Sequence, residues 1–167
     1  MLAVSGQWDR AGPVEDNRSL EARSDVLTYT GNALEYDVEI IGPVTAELYV
    51  RSSLEHTDFF IRVCDVEPSG KSLNVCDGLL RLAPNRPDPE LDGCKKIKVE
   101  LWPTAYCFKK GHRIRIQVSS GSFPRWNRNL GTGESLGTGT KMLIAEQSVY
   151  HDLAHPSAVI LPFTHGQ

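Results

Sequence analysis

The chain of 167 residues has no apolar run long enough to cross a bilayer, and its start, MLAVSGQWDR, lacks the charged-then-apolar order of a signal peptide. Membrane residence and export are therefore not expected, and the cytoplasm is the expected compartment. Basic residues are not in excess either. With 18 Lys and Arg against 21 Asp and Glu, and a net charge of −3, nothing resembles the electrostatic footprint that nucleic acid or an anionic lipid surface requires. The four cysteines, Cys64, Cys76, Cys94 and Cys107, form no CxxC pair and have no histidine at ligand spacing. That argues against zinc and thioredoxin-type chemistry and favours buried free thiols. Cys64 and Cys76 would approach each other only if they lie on two arms of one hairpin. A convincing amphipathic helix is also missing, and no cofactor motif is present.

Alternation of period two fills the chain instead. Val44, Ala46, Leu48 and Val50 share one face against Thr45, Glu47, Tyr49 and Arg51 on the other, as in an antiparallel strand with one side on a core. Gly42-Pro43 separates this strand from a shorter one at 38–41, and Val26, Leu27 and Tyr29 open an earlier one. Residues 58–67 and 73–82 flank the turn Pro68-Ser69-Gly70-Lys71 and read as a hairpin. Pro84, Pro87 and Pro89 make 83–93 a loop. Ile97, Val99 and Leu101 alternate with Lys96, Lys98 and Glu100; Ile114, Ile116 and Val118 alternate with Arg113, Arg115 and Gln117. Residues 141–150 and 158–163 read as two last strands.

Nine or ten short strands at this spacing predict an all-β fold, two sheets in a jelly-roll sandwich, since a one-sided sheet must cover its apolar face. Leu48, Val50, Ile61, Val63, Val99, Leu101, Ile114, Ile116 and Val118 form the expected core. Residues 1–22, irregular and rich in mixed charge, read as an N-terminal arm or linker, and 23–167 as the domain.

One stretch stands out: Ser119 to Gly133, SSGSFPRWNRNLGTG. Phe123, Pro124, Arg125, Trp126 and Arg128 crowd a glycine-punctuated loop, and such side chains are costly both to expose and to bury unpaired. A fixed backbone with stacked or bidentate arginines is expected there, with Arg125 or Arg128 reaching Asp58, a carboxylate that opens an apolar strand and requires a partner. Gly133-Glu134-Ser135-Leu136-Gly137 fits the G-x-S-x-G pattern of a nucleophile elbow, with Asp152 and His155 downstream. An elbow, however, needs a buried strand before the serine and a helix after it. LGTG recurs at Leu130–Gly133 and Leu136–Gly139, as in a flexible loop, so no catalytic residue is assigned. His151 and His155 lie one helical turn apart, but Pro156 follows and no third ligand is near, so no metal site is assigned.

Four blocks in order, SLEARSDVLTYTGNAL, EIIGPVTAELYVRSSLEHTDFFIRVCDVEPSGKSLNVCDGLLRL, SGSFPRWNRNLGTG and EQSVYHDLAHPSAVILPF, resemble the C-terminal domain of the cocaine-esterase and X-Pro dipeptidyl-peptidase group of serine hydrolases. The resemblance covers nearly the whole chain from about Pro13. It implies a galactose-binding-like jelly roll and a Ser-Asp-His triad housed in a separate α/β-hydrolase domain, to which nothing here corresponds. The implied function is a non-catalytic accessory domain that docks in cis on that hydrolase domain, stabilises it and shapes its substrate pocket, with no activity of its own; on this reading the Phe123 to Arg128 loop, with Asp58, locks the sandwich and is the candidate docking surface at the inter-domain face. His56-Thr57-Asp58-Phe59 departs from the family's Asp-Thr-Asp-Phe, and Leu130-Gly131-Thr132-Gly133 from its Asn-Thr-Gly. The alternative is a free-standing module for small ligands or carbohydrate, with Trp8, Trp102 or Trp126 as the stacking face. Homo-oligomerisation stays open on either reading.

Overall fold

The computed structural model describes residues 16–84, 90–91 and 93–164. Nine strands are found among them: β1 (Leu27–Thr30), β2 (Val38–Ser52), β3 (Thr57–Val66), β4 (Ser72–Leu82), β5 (Glu90–Leu91), β6 (Cys94–Phe108), β7 (Arg113–Ser119), β8 (Gln147–Tyr150) and β9 (Ala158–Ile160). One turn of helix, α1 (Arg18–Glu21), precedes them. The strands make two antiparallel sheets, ordered β1-β7-β3-β4 and β5-β6-β2-β8, with β9 also on β2. All-β character and two packed sheets follow from the period-two pattern, because each sheet has one apolar face to cover.

The core lies where the alternation put it. Leu48, Val50, Ile61, Val63, Val99, Leu101 and Val118 are buried, while Ile114 and Ile116 are half-buried against the same cluster. Gly78 sits where β4 of one sheet passes against the backbone of β6 in the other. A Cβ there would lie 2.9 Å from the Leu101 Cα and closer still to the Glu100 carbonyl oxygen, so only glycine fits.

Three strand expectations change. Gly42-Pro43 does not end a strand: β2 runs from Val38 to Ser52, and its register against β6 slips between Gly42 and Val44. The slip leaves Pro43 opposite Trp102 and Pro103, so prolines without an N–H occupy the one place where the ladder is interrupted. Residues 141–146 form no strand: β2 stops at Ser52, the Ser53 N–H donates to the Glu146 carbonyl, and the Leu143 N–H turns to the Leu130 carbonyl of the loop. Residues 158–163 pair with β2 only through Ile160, then by a single bridge from Phe163 to Ile40.

Cys64 and Cys76 do lie on one hairpin, but Cys64 pairs with Asn74 and Cys76 with Val63 across a bulge. All four cysteines are free thiols. Burial pushes the Cys64 and Cys76 thiols up to about 12, which keeps them protonated.

Candidate functional site

All ten residues of β3 are buried, which a strand with one face on water would not show. Phe59, Ile61 and Val63 point into the sandwich, so Asp58, Phe60 and Arg62 point away from it. Strand register sets their neighbours in rows on that outer face: Asp58 beside Arg81, Phe60 between Ser119 and Leu79, Arg62 between Gln117 and Asp77, and Cys64 between Arg115 and Asn74. Two covers close over this polar face: residues 16–22 at one end and the 121–130 loop at the other.

The loop cover is built on arginine pairing and stacking. Arg125 Nη1 donates to Asp77 at 2.6 and 2.7 Å, and its guanidinium lies 4.5 Å from the Trp126 ring centroid. Trp126 packs on Phe60 at 5.6 Å. Arg62, almost fully buried, lies 4.9 Å from the Phe60 ring and 3.5 Å from Asp77, so two arginines share one carboxylate. Arg128 stacks on Phe123 at 4.4 Å, both on the exposed side. The Phe123–Pro124 peptide is cis.

Asp58 finds different partners from those expected. Arg81, directly across the strand pair, grips it with two bonds of 2.8 and 2.6 Å, and Asn129 Nδ2 adds a third at 2.7 Å. Arg125 reaches Asp77 instead, and Arg128 stacks on Phe123. The reason is register: Asp58 and Arg81 are cross-strand neighbours, so the arginine that meets the carboxylate comes from β4 and the loop contributes Asn129. The hydrogen bond to Asp58 holds the Arg81 pKa above its ordinary value. Arg81 also donates to the Asn127 carbonyl at 2.7 Å, tying the loop backbone to β4.

The second cover comes from the segment read as an arm. Its residues 1–15 lie outside the described residues, but 16–22 pack down on the sheet. Asn17 receives a bond from Arg62 and donates to Asn74 and the Ser72 carbonyl. Glu21 accepts from Ser72, Arg115 and Gln117 at 2.5–2.6 Å. The hydrogen bond from Arg18 holds the Asp16 carboxyl down at about 2. Gln117 is 1% exposed. Arg115 and Gln117 of β7 thus face a polar lid, while Arg113 at the strand start stays exposed.

The remaining motifs fall away from any catalytic arrangement. Ser135 is exposed in a turn, with Thr138 and Gly139 donating to its carbonyl, and neither a strand nor a helix flanks it. Asp152 and His155 hydrogen-bond each other locally at 3.2–3.3 Å, with His155 packed on Tyr49 and Tyr150. Among the described residues no group of His, Cys, Asp or Glu could hold a metal ion. Gly133, at φ +77° against the His56 ring, explains the glycine-rich end of the loop: a Cβ there would collide with the imidazole. Of the tryptophans, Trp8 lies outside the described residues, Trp126 is stacked into the loop, and Trp102 is 63% exposed.

The sequence pointed to Asp58, Phe123, Pro124, Arg125, Trp126 and Arg128, and the structure brings all but Asp58 into one loop that closes beside it. It missed Asp77, Arg81, Arg62, Asn129 and Glu21. The usable signal was opposite charge on one face of the hairpin, Asp77 and Arg81 on β4 against Arg62 and Asp58 on β3.

Comparison with known proteins places this architecture. Residues 4–160 match the family described as X-Pro dipeptidyl-peptidase C-terminal non-catalytic domain. The cocaine esterase of Rhodococcus sp. (strain MB1 Bresler) is 35% identical over 158 residues, which are 90% of this chain and 27% of that protein. A putative serine esterase of Mycobacterium bovis is 28% identical over 126 residues, 62% of this chain and 20% of its own length. An α-amino acid ester hydrolase superposes with TM-score 0.80 and 26% identity over 90% of this chain and 27% of its own. An aminopeptidase of a marine-sediment Thaumarchaeota archaeon shares the fold at TM-score 0.81 and 24% identity, over 98% of this chain and 29% of its own. The chain thus spans about a quarter of the relatives it matches, and no helix among the described residues is long and apolar enough to cross a membrane. From the sandwich, the four sequence blocks and the match over nearly its whole length, the chain belongs to the X-Pro dipeptidyl-peptidase C-terminal non-catalytic domain family.

Proposed function

We propose that this chain works as an accessory domain docked in cis on an α/β-hydrolase domain, stabilising that domain and shaping its substrate pocket. The family match over residues 4–160, against relatives of which it spans about a quarter, carries the reading. The outer face of the β5-β6-β2-β8 sheet supplies the docking surface. The other sheet's outer face is already closed by this chain's own residues, whereas here Ile41, Trp102 and Ile160 stand 53%, 63% and 49% exposed. Strand alternation puts all three outward: Ile40 and Leu101 are buried beside the first two, and Ile160 pairs with the outward Thr45. An exposed apolar group on a well-packed sheet, rimmed by the Lys96–Glu47 ion pair at 2.9 Å, is the surface an inter-domain contact requires. The 121–130 loop then serves mainly to lock the opposite sheet, with the exposed Phe123 and Arg128 at its rim.

Assay of the chain against nitrophenyl esters and an X-Pro-nitroanilide should give no turnover. Turnover abolished by Ser135→Ala would overturn the accessory reading. Added in trans, the chain should raise the melting temperature of a separately produced α/β-hydrolase domain of this family, and Trp102→Glu should remove that effect. Equal stabilisation by Trp102→Glu would move the docking surface elsewhere.

A further inference from the structure

On the side of the sandwich away from the proposed docking face, β4, Leu136 and the 124–127 stretch of the loop border an open cleft of about 450 Å³. Its polar wall is Arg81, Arg125 and Asn127; its apolar wall is Leu79, Pro124, Trp126 and Leu136. Among the described residues no acidic side chain lines it. The two carboxylates that hold the arginines, Asp58 and Asp77, lie behind them with side chains 1% and 6% exposed, against 31% and 27% for the arginines. The charge that the described residues present to the cleft is therefore positive, with the neutral Asn127 beside it.

Those donors are only partly used. Arg81 spends Nε and Nη2 on Asp58 and the Asn127 carbonyl, which leaves Nη1 without a partner among the described residues. Arg125 spends Nη1 on Asp77 and retains Nε and Nη2. The local charge also has a surplus. Arg81 is balanced by Asp58, but Arg62 and Arg125 share Asp77, so one positive charge stays uncompensated in a chain of net charge −3. Arg62 Nε, buried and without a partner, shows that Asp77 does not satisfy both guanidiniums.

We propose that this cleft binds a small monocarboxylic acid carried on an aromatic or branched apolar group. The free guanidinium edges take the carboxylate through charge-assisted bonds, and the Trp126 indole with Leu79, Pro124 and Leu136 takes the apolar part. Two arginines would also accept inorganic phosphate. Phosphate has no apolar part to set against the other half of the wall, so the carboxylate with its apolar group is the better fit.

The test is titration of the 167-residue chain with phenylacetate, phenylacetamide and inorganic phosphate, followed by the NMR signals of the Trp126 indole N–H and the Arg81 and Arg125 Nε–H groups. Phenylacetate should give saturable shifts in all three, with phenylacetamide and phosphate each at least about tenfold weaker, since each lacks one half of the recognition. Leu136→Glu adds a negative charge at a rim position 41% exposed that takes no part in any ion pair, and should fold normally while losing phenylacetate binding. Ile160→Glu, the same charge change on the opposite sheet, should leave binding unchanged. Equal binding of acid and amide, no saturable shift, or equal effects of the two Glu variants would overturn the proposal. Phosphate binding as tight as phenylacetate would overturn its apolar half.

Discussion

Removing the Arg125 guanidinium tests whether the 121–130 loop is held as a lid. Arg125→Ala deletes charged hydrogen bonds to Asp77 at 2.6 and 2.7 Å and a stack on Trp126 at 4.5 Å. A hydrogen bond to a charged group contributes about 1.5–3 kcal/mol, and a cation over an indole about 0.5–1 kcal/mol at a partly exposed site. With Arg125 27% exposed, solvent screening puts the first contribution at its lower end. Loss of Arg125 also frees Asp77 to serve Arg62 alone, which recovers part of the cost. The net expectation is about 2 kcal/mol, or roughly 4–8 °C in Tm for a domain of this size. Thermal denaturation followed by circular dichroism reads it directly. Arg128→Ala is the internal control, since Arg128 stacks on an exposed Phe123 and has no carboxylate partner among the described residues; its effect should stay below about 1 kcal/mol. A double-mutant cycle of Arg125→Ala with Asp77→Asn should return a coupling of about 1–2 kcal/mol. Equal Tm values for Arg125→Ala and Arg128→Ala would refute the lid and leave the loop without a structural role.

Asp58→Ala should cost more, about 3 kcal/mol, because it strands Arg81 and Asn129 together, and limited proteolysis should then cut within 121–133 before the sandwich unfolds. Gly78→Ala forces β4 away from β6 and should destabilise by about 2–3 kcal/mol, with Gly121→Ala, where a Cβ meets nothing and φ is not positive, as the milder comparison by chemical denaturation. Burial raises the Cys64 and Cys76 thiols to about 12, so thiolate is scarce there across the neutral and mildly alkaline range. Under native conditions at pH 8, an aromatic disulfide reagent should therefore modify only the half-buried Cys107 quickly, and all four cysteines should react after denaturation.

The sheet architecture was legible because period-two alternation is a local property: Val44 to Val50 and Ile97 to Leu101 each declare a buried face without reference to any other strand. The weight of the 121–130 loop was legible too, since Arg125, Trp126 and Arg128 are too costly to leave unpartnered. Pairings were not. Whether Asp58 meets Arg125 or Arg81 depends on which residue stands across the β3–β4 ladder, and the bulge between Val63 and Cys64 shifts that ladder by a residue. Nor does alternation say what an outward face meets. The series Arg113, Arg115 and Gln117 looks solvent-facing in sequence, yet Gln117 is buried because Glu21, nearly a hundred positions earlier, folds down upon it. The sequence by itself determined that this chain makes two one-sided sheets and marked the family loop, because hydrophobic period and residue cost act within a few neighbours. Only the tertiary structure decided which charges pair, which sheet face is closed and which stays bare, and that a cleft with arginines on one wall opens beside Trp126, because each of these depends on segments brought together from far apart in the chain.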